Sequence, residues 1–323
     1  VWIHEVGDIT FNYNLSGRFV PWNGTSSNLK EFKIYSNPNI YDDLKLAYNS
    51  ENKEFLAVWE GAETWHYSVQ RVRIKASDGT ILGNVDWLIP GSNEHHRNPD
   101  VTYNSKKGQY LVVWNFNPSA TPGYIHAIRL KGSDLSPVGW GEFEITKQPY
   151  DERWPATAAC SQADQSLVVW NSDDISKKYP YINARIVYGD GNLSPTVHHL
   201  DDDNAESLGV FPDTACNRAE THFLTVWIQS VNQSQYHIWG KIIPVEEVFN
   251  TLCPGCNSAQ SANVEEYPPF KISDQLKNSF FNPPAVAGGN GHFMAVWEGD
   301  PNQITRIFAR IIFFGEAPQQ DKF

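Results

Sequence analysis

The sequence predicts an all-β protein assembled from six similar four-stranded antiparallel modules. Three observations carry that prediction. A Val-Trp pair recurs at Val1-Trp2, Val58-Trp59, Val113-Trp114, Val169-Trp170, Val226-Trp227 and Val296-Trp297. The Trp-to-Trp steps are 57, 55, 56, 57 and 70 residues, the spacing of stacked modules. Apolar runs are short, alternating or β-branched, and bounded by turn residues, and no segment shows a capped helical period.

The third module shows each element most plainly. Asn98-Pro99-Asp100-Val101-Thr102-Tyr103-Asn104 alternates like a strand and ends in turn residues. Lys106-Lys107-Gly108 makes the turn. Gln109 to Trp114 is a continuous apolar strand, too short for a helix. Residues 115–123 form a loop with two prolines, and residues 124–130 a third strand. Residues 142–146 alternate as a fourth. First strands recur at 44–50, 155–160, 212–216 and 283–288, and third strands at 69–74, 182–187, 238–243 and 307–312. Fourth strands recur at 32–35, 85–89, 197–200 and 270–273.

Four short strands per repeat read as the blade of a β-propeller. Pro99-Asp100-Val101-Thr102-Tyr103-Asn104-Ser105 with Tyr110-Leu111-Val112-Val113-Trp114, and Leu46-Ala47-Tyr48-Asn49-Ser50 with Phe55-Leu56-Ala57-Val58-Trp59, resemble the blades of secreted propeller repeat proteins. Their consensus is Pro-x-Val-Ala-Tyr-Asn-Ser followed by Tyr-Leu-Val-Val-Trp. The resemblance implies the fold and an extracellular setting. It spans residues 1–323 as a single propeller domain, with an insertion at about 245–266 inside the longest step. The chain opens on a second strand, and Gln320 to Phe323 falls where a last fourth strand begins. The termini are therefore expected to close one blade. The alternative is five full blades and an incomplete one. The start at Val1, without an initiator Met, is read as a processed or N-terminally incomplete chain.

Composition narrows the partners. A net charge of -12 argues against nucleic acid, whose phosphates need a basic field. No apolar run approaches the roughly 18 residues of a membrane span. Asn14, Asn23 and Asn232 head Asn-x-Ser/Thr triplets that permit glycosylation, whereas Pro195 spoils the one at Asn192. Cys160 and Cys216 stand nine and ten residues before their Val-Trp valines, nearly the same phase of adjacent repeats, which predicts a disulfide. Cys253 and Cys256 are read as a local disulfide. A redox motif would open a helix, and a zinc site needs a second pair.

The periodic tryptophans are read as scaffold. Trp22, Trp65, Trp87, Trp140, Trp154 and Trp239 stand outside the repeat and are the candidate ligand-binding aromatics. His95-His96 and His198-His199 offer one metal ligand per pair at most, because adjacent strand residues face opposite ways. Asp201, Asp202 and Asp203 are read as a solvated loop, with calcium the minority reading. Asp100 and Asp213, equivalent positions on first strands, and Glu152 are the candidate acids of a glycosidase.

The expected function is a secreted, non-enzymatic, lectin-like binder of carbohydrate through loop aromatics. The alternatives are a binder of an elongated apolar ligand such as a pigment or lipid, a structural or adhesive extracellular module, and a propeller glycoside hydrolase. No cofactor is expected beyond a bound apolar ligand or calcium, and homo- or hetero-oligomers are left open.

Overall fold

The computed structural model describes residues 2–5, 13–20, 31–37, 40–63, 66–90, 94–118, 122–146, 148, 150–174, 180–201, 208–232, 235–245, 268–273, 282–299 and 306–313. These residues form antiparallel sheets, and among them there is no helix. They fall into two units, Val1–Glu144 and Ile145–Phe323.

The first unit holds three sheets, each in sequence order. The first is β1 (Trp2–Glu5), β2 (Tyr13–Arg18) and β3 (Glu31–Asn37). The second is β4 (Ile40–Asn49), β5 (Glu54–Glu63), β6 (His66–Lys75) and β7 (Ile81–Trp87). The third is β8 (His95–Asn104), β9 (Gln109–Asn117), β10 (Tyr124–Lys131) and β11 (Pro137–Glu144).

The second unit repeats the plan. Its sheets are β12 (Asp151–Cys160), β13 (Gln165–Asp173), β14 (Tyr181–Tyr188) and β15 (His198–His199); then β16 (Gly209–Cys216), β17 (His222–Asn232), β18 (Gln235–Pro244) and β19 (Phe270–Lys271); then β20 (Ala285–Gly288), β21 (His292–Gly299) and β22 (Arg306–Phe313). The expected closing strand at 320–323 and most of the 245–266 insertion lie outside the described residues.

Local chemistry explains the hairpins. Asn49 closes the first strand of its sheet, and its Oδ1 accepts the N–H groups of Glu51 and Asn52 at 3.0 Å each. A left-handed residue then turns the chain into the second strand: Lys53 (φ 55°), Gly108 (62°) or Asp164 (59°). This is the role of Asn in the Tyr-Asn-Ser motif.

Neighbouring sheets bury their facing surfaces together. Leu56, Val58 and Val69 of the second sheet pack with Val112, Trp114 and Ile128 of the third. Leu167 and Val169 pack with Phe223 and Trp227 in the second unit. Trp59, Trp114, Trp170 and Trp227 are 0% exposed, so these four pacing tryptophans are core. Truncating one to Ala is expected to cost about 3–5 kcal/mol. Three of their indole N–H groups find acceptors, each a different one: Gln70 Oε1 for Trp59 at 2.8 Å, Gln229 Oε1 for Trp227 at 2.5 Å, and Glu152 Oε1 for Trp170 at 3.1 Å. The Cys160–Cys216 disulfide joins the ends of β12 and β16 with Cα atoms 5.5 Å apart.

Candidate active site

The first strand of four sheets breaks register at the same place. The irregularities lie between Asp42 and Lys45, Arg97 and Asp100, Arg153 and Ala156, and Val210 and Asp213. Each contains a non-glycine residue in the left-handed region: Asp43 (φ 59°), Asn98 (51°), Trp154 (51°) and Phe211 (54°). Such bulges bend a strand end and re-aim its side chains. Asp and Asn tolerate this conformation, whereas for Trp and Phe it costs about 1–2 kcal/mol each.

Within each unit the two bulges meet. In the first, Asn98 Nδ2 donates to Asp43 Oδ2 at 2.5 Å. In the second, the Trp154 and Phe211 rings lie 4.3 Å apart between centroids, tilted by 42°.

The polar pair of the first unit extends to a second carboxylate. Glu60, on β5, is 2% exposed. The Asn98 backbone N–H donates to Glu60 Oε2 at 3.2 Å, and Arg97 donates through Nε and Nη2 to Oε1 at 3.2 Å each. The Arg97 guanidinium also lies 4.2 Å over the Tyr67 ring. Burial raises the proton affinity of Glu60 and outweighs the opposing pull of Arg97 and the Asn98 N–H. Beside it, the Tyr67 N–H donates to His95 Nδ1 at 3.1 Å. Burial, Arg97 and His66 hold the pKa of His95 below its usual value.

The three acids expected from the sequence have separate fates. The registers confirm that Asp100 and Asp213 are equivalent, each opposite the valine of a Val-Trp pair. Asp100 is buried, and its Oδ1 accepts the Val101 N–H at 2.8 Å. Asp213 Oδ2 accepts the Val286 N–H at 2.8 Å, tying β16 to β20. Glu152 is 0% exposed and takes hydrogen bonds at 3.1 Å from Thr146 Oγ1 and Trp170 Nε1. Burial pushes its pKa up to about 8. Sequence reasoning missed Asp43 and Glu60. Asp43 carries no motif, and Glu60 looked like the residue after a scaffold Trp.

The other candidates scatter. Trp140 is fully exposed on β11. Trp87 pairs across strands with Gln70, and Trp239 with Trp227, against whose core it packs. Trp22, Trp65, Asn23, Asp202, Asp203, Cys253 and Cys256 lie outside the described residues, as does the side chain of Asn232. Asn14 Oδ1 accepts the Ser36 hydroxyl. Asp201 is buried, and its Oδ1 accepts the Ile182 N–H at 3.0 Å. His96 is buried against Trp114 and Phe116, with centroids 6.0 and 5.4 Å away. His199 packs edge-on against Tyr181 at 5.0 Å. Among the described residues no three His, Cys, Asp or Glu side chains gather as a metal-ligand group.

No protein-family model matches the chain, and no curated protein matches it in sequence. Solved structures do resemble it. An α-L-arabinofuranosidase of Fusarium graminearum, determined with arabinobiose, superposes with a TM-score of 0.55 at 13% identity, over 84% of this chain and 78% of that one. The fold is a β-propeller. An endo-arabinase from Bacteroides thetaiotaomicron superposes with a TM-score of 0.52 at 10% identity, over 86% of this chain and 95% of that one. These propeller neighbours correct the expected function. One is named an α-L-arabinofuranosidase and the other an endo-arabinase, enzymes rather than lectins, which runs against the expected non-enzymatic lectin reading. The structure adds a physical reason. Of the described candidate aromatics, Trp239 packs on core and Trp140 stands in solvent.

Proposed function

We propose that this propeller is a glycoside hydrolase and that Asp43 and Glu60 are its acid–base pair. The observation that carries the reading is the Asp43–Asn98–Glu60 bridge. One left-handed asparagine holds two carboxylates of different character at the bulged mouth of a first strand. Glycosidic bonds are cleaved by such pairs, one carboxyl protonating the leaving oxygen and the other serving as base or nucleophile. Burial raises the proton affinity of Glu60, which suits it to the acid's role; Oε1 takes two hydrogen bonds from Arg97, whereas Oε2 takes one from the Asn98 N–H and keeps a lone-pair direction beside it. Asp43, only partly buried, is the partner that meets water.

Arabinose-containing polysaccharide is the proposed substrate class, supported by the activities named for the two neighbours. An extracellular site of action is supported by the Cys160–Cys216 disulfide and by the triplets at Asn14, Asn23 and Asn232. Six Val-Trp pairs support a count of six blades.

The test is release of reducing sugar from arabinan and from aryl arabinofuranosides. Wild-type protein is expected to release it, and Asp43→Asn or Glu60→Gln to lose at least a hundredfold in kcat while staying folded. Full turnover by both variants refutes this assignment of the pair.

A further inference from the structure

We infer that Trp154 and Phe211 form a stacking platform for a sugar ring, a binding subsite built within the second unit. The inference goes beyond the hydrolase reading but rests on it for the class of ligand. Its first support is the conformational cost. At the equivalent bulges of the first unit the chain places Asp43 and Asn98, residues at ease in the left-handed region. In the second unit it places two bulky aromatics there, each directly before a proline, Pro155 and Pro212. A residue before proline is already restricted toward extended backbone. Strain of this kind gathers at ligand clamps and active sites.

The second support is geometry. The rings touch, 4.3 Å apart and tilted by 42°, so each limits the rotation of the other. Both remain partly open to solvent at the bulged ends of β12 and β16, and Phe211 also packs against a buried apolar cluster, which anchors the pair. A rigid, half-exposed aromatic suits the C–H face of a pyranose or furanose. The same strand carries a polar pair next in sequence to Trp154, where the exposed Arg153 donates through Nε to Asp151 Oδ2 at 2.8 Å.

The test separates binding from turnover. Hexasaccharides of arabinose, xylose, galactose and glucose are titrated by calorimetry and tryptophan fluorescence into Asp43→Asn protein, with and without Trp154→Asn. At least one hexasaccharide is expected to bind. Trp154→Asn is expected to weaken it tenfold or more with no loss of Tm, because asparagine relieves the backbone while removing the ring. Undiminished binding by Trp154→Asn, a lowered Tm, or no binding of any hexasaccharide overturns the platform. Binding that depends on Trp154 in a protein whose wild type hydrolyses nothing upholds the platform and sinks the hydrolase reading instead.

Discussion

The side-chain amide of Asn98 donates to the carboxylate of Asp43 at 2.5 Å, and both residues are left-handed at the same point of neighbouring first strands. One asparagine thereby joins β4 to β8 and sets the direction of a carboxylate. Its own backbone N–H serves Glu60 from the other side.

Replacing Asn98 separates the two contributions. Asn98→Gly keeps the left-handed backbone and the N–H to Glu60 but deletes the amide. It is expected to lose about 1.5–3 kcal/mol, the worth of a hydrogen bond to a charged group. Asn98→Ala should lose about 1 kcal/mol more, because alanine pays for positive φ. Urea denaturation of the two variants beside wild type measures both differences. Equal stability of the glycine and alanine variants would contradict the strain argument.

Glu152 makes stability fall as the solution turns alkaline. Its folded pKa of about 8 lies above the 4.5 of a free glutamate, so the folded state holds the extra proton between those values. Stability is highest below about pH 4.5 for this group and declines by several kcal/mol toward pH 8. Glu152→Gln stays neutral and can still accept from Trp170, so its Tm should change little over that window. Thermal melts from pH 5 to 8 compare the two slopes.

His96 works in the opposite sense. Burial against Trp114 and Phe116 depresses its pKa from 6.5 to about 4. The unfolded chain therefore binds the proton first, and stability drains away as pH falls from 6.5 toward 4. His96→Phe, which cannot charge, is expected to flatten that acid limb. The readout is the denaturation midpoint at pH 4, 5 and 7.

The Cys160–Cys216 bond closes a loop with a sequence separation of 56, which chain entropy values at about 4 kcal/mol. Denaturation of the Cys160→Ser, Cys216→Ser double variant should show a loss of that order. The same chain treated with reductant should match it. A loss under about 1 kcal/mol would mean the unfolded chain already keeps those strands close.

Much of the scaffold can be read from the letters alone. Each module carries its own alternation of buried and exposed positions, so the Val-Trp period, the Tyr-Asn turns and the four-strand plan are local statements repeated along the chain. The pairing of Cys160 with Cys216 and the equivalence of Asp100 with Asp213 follow from phase, because stacked repeats bring equal phases together. The candidate site is different in kind. Glu60 and Arg97 are 37 residues apart and match no periodic pattern. The dipeptides Asn98-Pro99, Trp154-Pro155 and Phe211-Pro212 read as extended backbone, and only the register between strands puts their first residues at positive φ. Whether a carboxylate ties two sheets, as Asp213 does to Val286, or bridges toward a second acid, as Asp43 does through Asn98, depends on which non-repeating side chain the neighbouring sheet presents. Periodicity encodes burial within a module, and chemistry arises where unlike residues of adjacent modules meet, which tertiary packing alone decides.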